Sequence, residues 1–297
     1  MEEWGMGNYV KMGALAEMLL VAAIWSSSFV GVKVALRYIG PLTVAGLRYF
    51  LAFLLLAPWL RSRHVGLSPR VWRRLTAIGL AQYVVGNGAL FYSLQRLSAT
   101  AGSLSLSLVP IVVLLLEAAR LRERPGLLPG LGVALGVGGS FLFFSPSVWP
   151  KDLAALGALG IAILAFSVWP VMGREMAHGR EVGTIPLTAI PLGLGGGVLL
   201  ILALAVEGLP RMPLLGWGVV LGLAAINTAL AYLLYAHALQ HLTATQANVI
   251  LNLSPLGTAV ISWPTLGERI KPVQYLAIVI IIVGVAMVQM RKDRGSR

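Results

Sequence analysis

An internal repeat is visible in residues 94–124, LQRLSATAGSLSLSLVPIVVLLLEAARLRER, and residues 239–269, LQHLTATQANVILNLSPLGTAVISWPTLGER. Over the 46 positions from 94 to 139, 13 residues are identical to the residue found 145 positions later, without a gap. The match sets Pro110 on Pro255, and the earlier segment Pro41-Leu42-Thr43 meets Pro186-Leu187-Thr188 at the same shift. This self-similarity indicates that half of the chain is a duplicate of the other half.

Apolar runs long enough to cross the hydrocarbon as helices follow one another with short connections. We count ten, at 13–36, 41–60, 72–95, 98–118, 127–145, 152–173, 184–206, 213–239, 243–263 and 272–290. The predicted fold class is an all-α integral membrane protein of ten transmembrane helices. The repeat divides it into two five-helix halves, residues 1–146 and 147–297. Because five is odd, the second half is inverted, a design typical of transporters with a midplane substrate site.

Composition excludes several other classes of protein. The 297 residues are 58% hydrophobic and only 11% charged, whereas soluble domains carry roughly 25% charged residues. Cysteine is absent, so neither a disulfide framework nor a thiolate metal site is expected. We expect no cofactor and no metal. The net charge of +12 lies in short clusters between apolar runs, which indicates membrane topology rather than nucleic-acid binding.

The distribution of lysine and arginine predicts the orientation. With both termini in the cytoplasm, the inside segments hold 15 of these residues and the outside segments hold 6. Cytoplasmic loops of membrane proteins carry such an excess of positive charge. We therefore expect a multi-pass membrane protein with both termini cytoplasmic.

Two stripes of polar residues occupy repeat-equivalent positions of the fourth and ninth spans. Polar residues in a span are costly and usually face a cavity or another helix. Both stripes have the i, i+3, i+7 spacing of one helix face, and together they predict a polar pathway. The alternative is that small polar residues only allow helices to pack closely. The stripes are Thr100, Ser103 and Ser107, and Thr245, Asn248 and Asn252.

Aromatic residues lie beside amides in other spans. Aromatic rings supply area and a face for a cation, while an amide fixes a polar group. A substrate with an apolar body and polar ends would suit this combination, although ordinary aromatic packing is the alternative. The further candidates for substrate binding are Trp25, Tyr83, Asn87, Trp169, Tyr232, Tyr235 and Gln246. Thr228 is predicted on the same helix face as Tyr232 and Tyr235.

Prolines and charges inside spans complete the candidates. Pro110, Pro170 and Pro255 each favour a kink, so each is a candidate hinge. Lys33 is expected to extend its charge to the interface, whereas Arg48 either does the same or attracts a carboxylate. No carboxylate falls at the centre of a predicted span, which argues against a proton relay there.

Several segments resemble the drug/metabolite transporter superfamily, EamA type. They are Trp25–Lys33, Pro41–Arg48, and the paired stretches Leu97–Arg124 and Leu242–Arg269, whose closing Leu-Gly-Glu-Arg is similar to that family's usual ending of the ninth span. Within the superfamily the chain looks most like the YddG-type exporters of aromatic amino acids. This resemblance implies ten helices, cytoplasmic termini, a basket of two five-helix repeats and efflux across the bacterial inner (plasma) membrane.

The expected function is export of amino acids, aromatic or other neutral ones, by alternating access around a midplane cavity. An exporter of drugs or other small metabolites is the nearest alternative. A structural or signalling membrane protein is a further alternative, but it would not need polar stripes related by the repeat. A membrane-embedded enzyme would need a nucleophile–base pair or a metal cluster at depth, and the sequence predicts neither, so no catalytic residue is assigned. The expected partners are a small-molecule substrate and the lipid bilayer, with no nucleic acid, and a monomer is the expected state.

The inverted arrangement makes a direct prediction about topology. Single cysteines introduced at residues 60–75 and at 207–213 should react with a membrane-impermeant thiol reagent from opposite sides, because an odd number of helices reverses the second half. The chain has no cysteine of its own, so the labelling has no background. Labelling of both segments from one side would contradict the inverted repeat.

Overall fold

The computed structural model describes residues 2–61, 66–106, 108–109, 111–113, 115, 127–143, 152–178, 182–242, 247, 250–251, 253–267 and 271–289. Within these ranges the chain is helical and contains no β-strand, so the predicted all-α class is confirmed. In chain order the elements are α1 (Glu2–Ala35), α2 (Pro41–Arg61), α3 (Pro69–Gly79), the π-helix π1 (Leu80–Asn87), α4 (Gly88–Leu94), α5 (Ala99–Leu106), α6 (Leu127–Phe143), α7 (Leu153–Phe166), α8 (Val168–His178), α9 (Thr184–Val206), α10 (Leu214–Ala224), the π-helix π2 (Ala225–Leu230), α11 (Ala231–Ala238), α12 (Ser254–Leu266) and α13 (Pro272–Gln289).

Several of these helices have the length and composition of membrane spans. Among the described residues, five segments qualify: Met12–Ala35, Pro41–Leu60, Leu153–Gly173, Thr184–Val206 and Leu214–Ala238. Two further apolar helices, Gly130–Gly139 and Pro272–Gly284, are shorter. Aliphatic side chains are exposed on the outside, as expected of a surface solvated by lipid tails; Leu214, for example, is 87% exposed. The total of ten helices stays a prediction.

Helices α2 and α9 lie against each other at very short range, because glycines face the partner backbone. A Cβ atom built on Gly46 would lie 2.7 Å from the backbone nitrogen of Leu200. One built on Gly196 would lie 2.6 Å from the backbone nitrogen of Phe50. Small residues at helix crossings in membranes allow such close packing, which maximises van der Waals contact.

Helices α6 and α13 form a second close pair. A Cβ on Gly139 would lie 2.7 Å from Cγ1 of Ile281, and one on Gly284 would lie 2.7 Å from the backbone nitrogen of Gly136. Gly139 and Gly284 are repeat equivalents, 145 positions apart. The two equivalent glycines therefore make equivalent contacts, one from each helix of the pair.

Helix ends and breaks follow from local chemistry. Helix α7 begins after Asp152, whose carboxylate accepts a hydrogen bond from the backbone N–H of Ala155 at 3.0 Å; this is an N-cap. It ends at Phe166, four residues before Pro170. In a continuous helix the ring of a proline clashes with the backbone carbonyl four residues earlier, so the helix breaks at this position. Helix α12 ends at Leu266 and is capped by Gly267, which has φ of 71°, a left-handed conformation that favours glycine.

The carboxylate of Glu207 caps helix α2 from a distant part of the chain. It accepts hydrogen bonds from the backbone N–H groups of Leu42 at 3.0 Å and Thr43 at 2.9 Å, and from the Thr43 hydroxyl at 2.6 Å. The first N–H groups of a helix lack partners within it, and the helix dipole favours a negative charge there. Glu207 follows directly after α9, so the cap joins the two close-packed helices at one end.

Removing this cap should destabilise the protein. We expect Glu207→Ala to lower the free energy of unfolding by about 1–2 kcal/mol, measured by reversible denaturation in mixed micelles with tryptophan fluorescence. Gly40→Ala should act through the same contact, since its Cβ would meet the Glu207 carboxyl group. In the double variant Gly40→Ala should therefore cost almost nothing more. Additive losses would show that Gly40 acts independently of the cap.

Candidate functional site

Two π-helices occupy equivalent places in the two halves of the chain. The first, π1, begins at Leu80, and the second, π2, begins at Ala225, 145 positions later. A π-helix shifts the hydrogen-bond register from four residues to five, and such segments are frequent at functional sites. The polar residues singled out in the third and eighth predicted spans lie within or directly after these two segments.

In π2 the register shift frees a backbone carbonyl. The N–H of Ala231 donates to the carbonyls of Ile226 and Thr228 and not to that of Asn227. The Asn227 carbonyl accepts instead from Trp25 Nε1 at 3.2 Å and from Arg48 Nη2 at 3.0 Å. Helices α1 and α2 thus contribute the donors that a backbone carbonyl in an apolar surrounding requires.

In π1 the equivalent carbonyl also accepts a side-chain donor. Asn87 Nδ2 donates to the carbonyl of Gln82 at 2.7 Å, and Gln82 is the repeat equivalent of Asn227. The amide oxygen of Asn87 then accepts from the Tyr49 hydroxyl. Adjacent residues of α2 therefore reach the two π-helices, Tyr49 towards π1 and Arg48 towards π2.

A cavity of about 160 Å³ lies between these elements, roughly ten times the volume that a single water needs. Helices of both halves line it. One wall consists of the rings of Trp25, Trp169, Tyr232 and Tyr235. The ring centroids of Trp25 are 5.2 Å from Tyr232 and 5.7 Å from Tyr235, and those of Trp169 are 6.4 and 6.5 Å away from the same tyrosines. These are ordinary distances for aromatic pairs.

Unpaired polar atoms face this part of the molecule. Gln82 Oε1 and Trp169 Nε1 belong to cavity-lining residues, are buried, and have no hydrogen-bond partner among the described residues. Gln82 is held by its amide nitrogen, which donates to the Tyr232 hydroxyl at 3.2 Å. Buried polar atoms are nearly always paired, so these two atoms are available to a ligand or to water in the cavity. One is an acceptor and the other a donor.

Arg48 is the single charged residue among the described residues that line the cavity. It is only 4% exposed. Its Nε donates to Thr228 Oγ1 at 2.6 Å, and its Nη2 donates to the Asn227 carbonyl. The sequence left open whether this charge reaches the interface or attracts a carboxylate. Its burial excludes the first alternative, whereas Lys33 is half-buried and does not line the cavity.

The structure brings many of the predicted residues together and leaves others undescribed. Tyr83 is buried behind the wall, 5.8 Å from Tyr232 between ring centroids. Ser103 lines the cavity and accepts from Thr258 at 3.2 Å. The predicted residues that lie outside the described part of the chain are Ser107, Pro110, Thr245, Gln246, Asn248 and Asn252. The cavity-lining residues among those predicted are Trp25, Asn87, Ser103, Trp169, Pro170, Tyr232, Tyr235 and Pro255.

Gln82, Arg48 and Tyr49 are among the cavity residues that were missed or left undecided from the sequence. Gln82 could have been found, because it is the repeat equivalent of Asn227 and both carry amides. Arg48 was recognised but not assigned to the site. Tyr49 carries no such signal, since the equivalent position in the second half is Leu194.

Comparison with known proteins gives a consistent family. Residues 12–145 and residues 153–290 each match the EamA-like transporter family. An uncharacterized inner membrane transporter of Escherichia coli, YedA, is 24% identical over 91% of this chain and 88% of its own length. The uncharacterized transporter YoaV of Bacillus subtilis is 22% identical over 91% and 94%. An uncharacterized transporter of Synechocystis is 26% identical over 91% and 88%.

Among solved structures, one crystal structure superimposes with a TM-score of 0.67 over 92% of this chain and 95% of that chain, at 14% sequence identity. At that identity the likeness concerns the fold alone. These three relatives and this structure match over nearly the whole length, so their similarity is not confined to one half.

The hydrogen bonds around π1 should be needed for stability. Asn87→Leu leaves both the Gln82 carbonyl and the Tyr49 hydroxyl unpaired, and we expect it to cost about 2 kcal/mol of unfolding free energy. Tyr49→Phe removes one bond only and should cost about half as much. Both are measured by denaturation in mixed micelles. Equal stability of the wild type and Asn87→Leu would mean that the π-helix does not depend on this amide.

Proposed function

Because the chain belongs to the EamA-like transporter family, we propose that it exports amino acids with aromatic or other neutral side chains across the bacterial inner membrane. The observation that carries this proposal is the cavity: an aromatic wall from both halves stands beside the unpaired amide oxygen of Gln82. Within the family, we propose the aromatic amino acid exporters as the subgroup that the chain resembles most.

The aromatic wall suits the side chain of such a substrate. The rings of Trp25, Trp169, Tyr232 and Tyr235 present apolar faces whose geometry favours tilted or edge-on aromatic partners. An ammonium group needs hydrogen-bond acceptors or ring faces once it leaves water. Gln82 Oε1 is such an acceptor, already buried and without a partner among the described residues. A hydrogen bond to this oxygen would offset part of the free energy that an ammonium group loses when it leaves water.

We propose that two inverted five-helix halves, residues 1–146 and 147–297, form the transport pathway. Packing supports this arrangement, because α1 lies against α11 and π2, while the repeat-equivalent α7 lies against α4 and π1. The family match to each half supports it as well. Glu207 contacts the first turn of α2, at the opposite end of that helix from Arg61, which is the relation that inversion requires.

Alternating access then requires contacts that break on each side in turn. Two ion pairs and one hydrogen-bonded pair between described residues cross from one half to the other: Arg74 with Glu175, Arg96 with Asp152 at 2.7 Å, and His237 with Glu17 at 2.9 Å. Exposed ion pairs contribute only about 0–1 kcal/mol, so they can open and close within a transport cycle. The Arg96 pair lies at one end of π1 and α4, and the Arg74 pair lies beyond the other end.

The breaks in the helices provide places for bending. We propose that Pro170, Pro255 and the two π-helices allow the half-helices on either side of the cavity to tilt. Each of these positions interrupts the ladder of backbone hydrogen bonds. Pro110, the repeat equivalent of Pro255, is proposed as the matching hinge.

Transport should be measured in proteoliposomes with a panel of labelled amino acids, with and without a pH gradient. We expect counterflow of phenylalanine, tyrosine and tryptophan, and a roughly tenfold higher half-saturation concentration in Trp169→Ala, corresponding to about 1.4 kcal/mol. Trp263→Ala is the matched control, because Trp263 is 66% exposed on the outside and should leave transport unchanged. If no amino acid moves under any gradient, the amino acid proposal is wrong.

A further inference from the structure

We infer that Arg48 binds a carboxylate of the transported substrate, so that the cavity selects molecules carrying a negative group beside an apolar body. This inference rests on the proposed transport through the cavity. It goes beyond the proposed function, because it names one recognition residue and the chemical group that this residue binds. The inference does not require an amino group on the substrate, so carboxylic acids that lack one would also bind.

The first argument is the burial of an unbalanced charge. Arg48 lies seven residues beyond Pro41, which places it about 10 Å along α2 from that end. A guanidinium keeps its charge in proteins, and a charge inside a span is expensive without a partner. Among the described residues Arg48 forms no ion pair, and its two hydrogen-bond partners are a hydroxyl and a carbonyl. Neither partner neutralises the charge.

The second argument is the set of N–H groups that remain. A guanidinium carries five, and Arg48 donates to protein through Nε and through Nη2. These two atoms form one edge of the planar group. The end that carries Nη1 together with the second hydrogen of Nη2 makes no hydrogen bond to the described residues. Two parallel N–H groups at such an end match the two oxygens of a carboxylate.

The third argument is the asymmetry of the site within a repeated fold. The repeat equivalent of Arg48 is Gly193. A Cβ at Gly193 would lie 2.8 Å from the ring of Phe53, so this position has no room for a long side chain. The fold therefore supplies one cation at this level and not two. A single carboxylate on the substrate balances it.

The fourth argument is the position of the neutral groups around the cation. Gln82 Oε1 lines the same cavity, is buried, and has no partner among the described residues. A substrate with a carboxylate on Arg48 and an ammonium on Gln82 would be bound through both charges. Its apolar body would then lie against the rings of Trp25 and Trp169. This arrangement gives a partner to the free end of Arg48 and to the amide oxygen of Gln82.

Arg48 also joins α2 to π2, and a purely structural role is the alternative. The two roles are separated by ligands rather than by stability. We propose thermal-shift titrations of the full chain in detergent with three matched compounds: L-phenylalanine, 3-phenylpropanoate, which lacks the ammonium, and 2-phenylethylamine, which lacks the carboxylate. The wild type should be stabilised by both carboxylates, and 2-phenylethylamine should bind at least tenfold more weakly than 3-phenylpropanoate.

Variants of Arg48 test whether the carboxylate binds to its guanidinium group. Arg48→Gln should bind both carboxylates roughly 10- to 100-fold more weakly, while Arg48→Lys keeps the charge without the fork and should be intermediate. Arg211→Gln is the control, because Arg211 is an exposed arginine outside the spans and should bind as the wild type does. If Arg48→Gln does not fold, the wild-type comparison of the three compounds and the Arg48→Lys variant still decide the matter.

The outcomes separate this inference from the proposed function. Arg48-dependent binding of 3-phenylpropanoate without binding or transport of phenylalanine would support the carboxylate site and contradict the amino acid substrate. Phenylalanine transport with unchanged affinity in Arg48→Gln would contradict the carboxylate site and leave the proposed function intact. Binding of 2-phenylethylamine as tight as that of the carboxylates, or no Arg48-dependent binding of either carboxylate, would overturn the inference.

Discussion

The pairing of backbone carbonyls within an apolar surrounding organises the centre of this protein. Lipid offers no hydrogen bonds, so a carbonyl released from a helix must find its donor in the protein. The Asn227 carbonyl in π2 finds Trp25 and Arg48, and the Gln82 carbonyl in π1 finds Asn87. These bonds determine which side chains surround the cavity. The π-helices, the buried arginine and the amide network are therefore consequences of one requirement.

Helix α2 has a special part in this organisation because it contacts both π-helices. Tyr49 donates to Asn87 on one side, and Arg48 donates to Thr228 on the other. The same helix packs tightly on α9 through Gly46 and is capped by Glu207. A movement of one half against the other would thus be transmitted through α2 to both π-helices at once. Close backbone packing makes such an element move as a rigid unit.

The repeat accounts for the helical scaffold, whereas residues that differ between the two halves account for the chemistry of the cavity. The duplicated sequence repeats the π-helices, the close glycine contact of α6 with α13, and the pattern of helix neighbours. Some of the residues that differ between the halves have distinctive chemistry: Arg48 corresponds to Gly193, Tyr49 to Leu194, and Asn87 to Tyr232. Such differences at the shared cavity allow a duplicated bundle to distinguish the two ends of an asymmetric molecule.

The sequence by itself determined the helical class, the family and the repeat, because these depend on the length of apolar runs and on residue spacing. It also identified Asn87, Tyr232 and the aromatic residues, since a polar or aromatic side chain within a span signals a protein environment. It did not reveal the π-helices, because a shift of one residue in the hydrogen-bond register depends on donors from other helices. For the same reason it did not determine the position of Arg48. A long basic side chain near a helix end can reach the interface or turn inward. Only the tertiary structure, by placing the carbonyl of Asn227 and the hydroxyl of Thr228 within its reach, decided that Arg48 lies in the cavity.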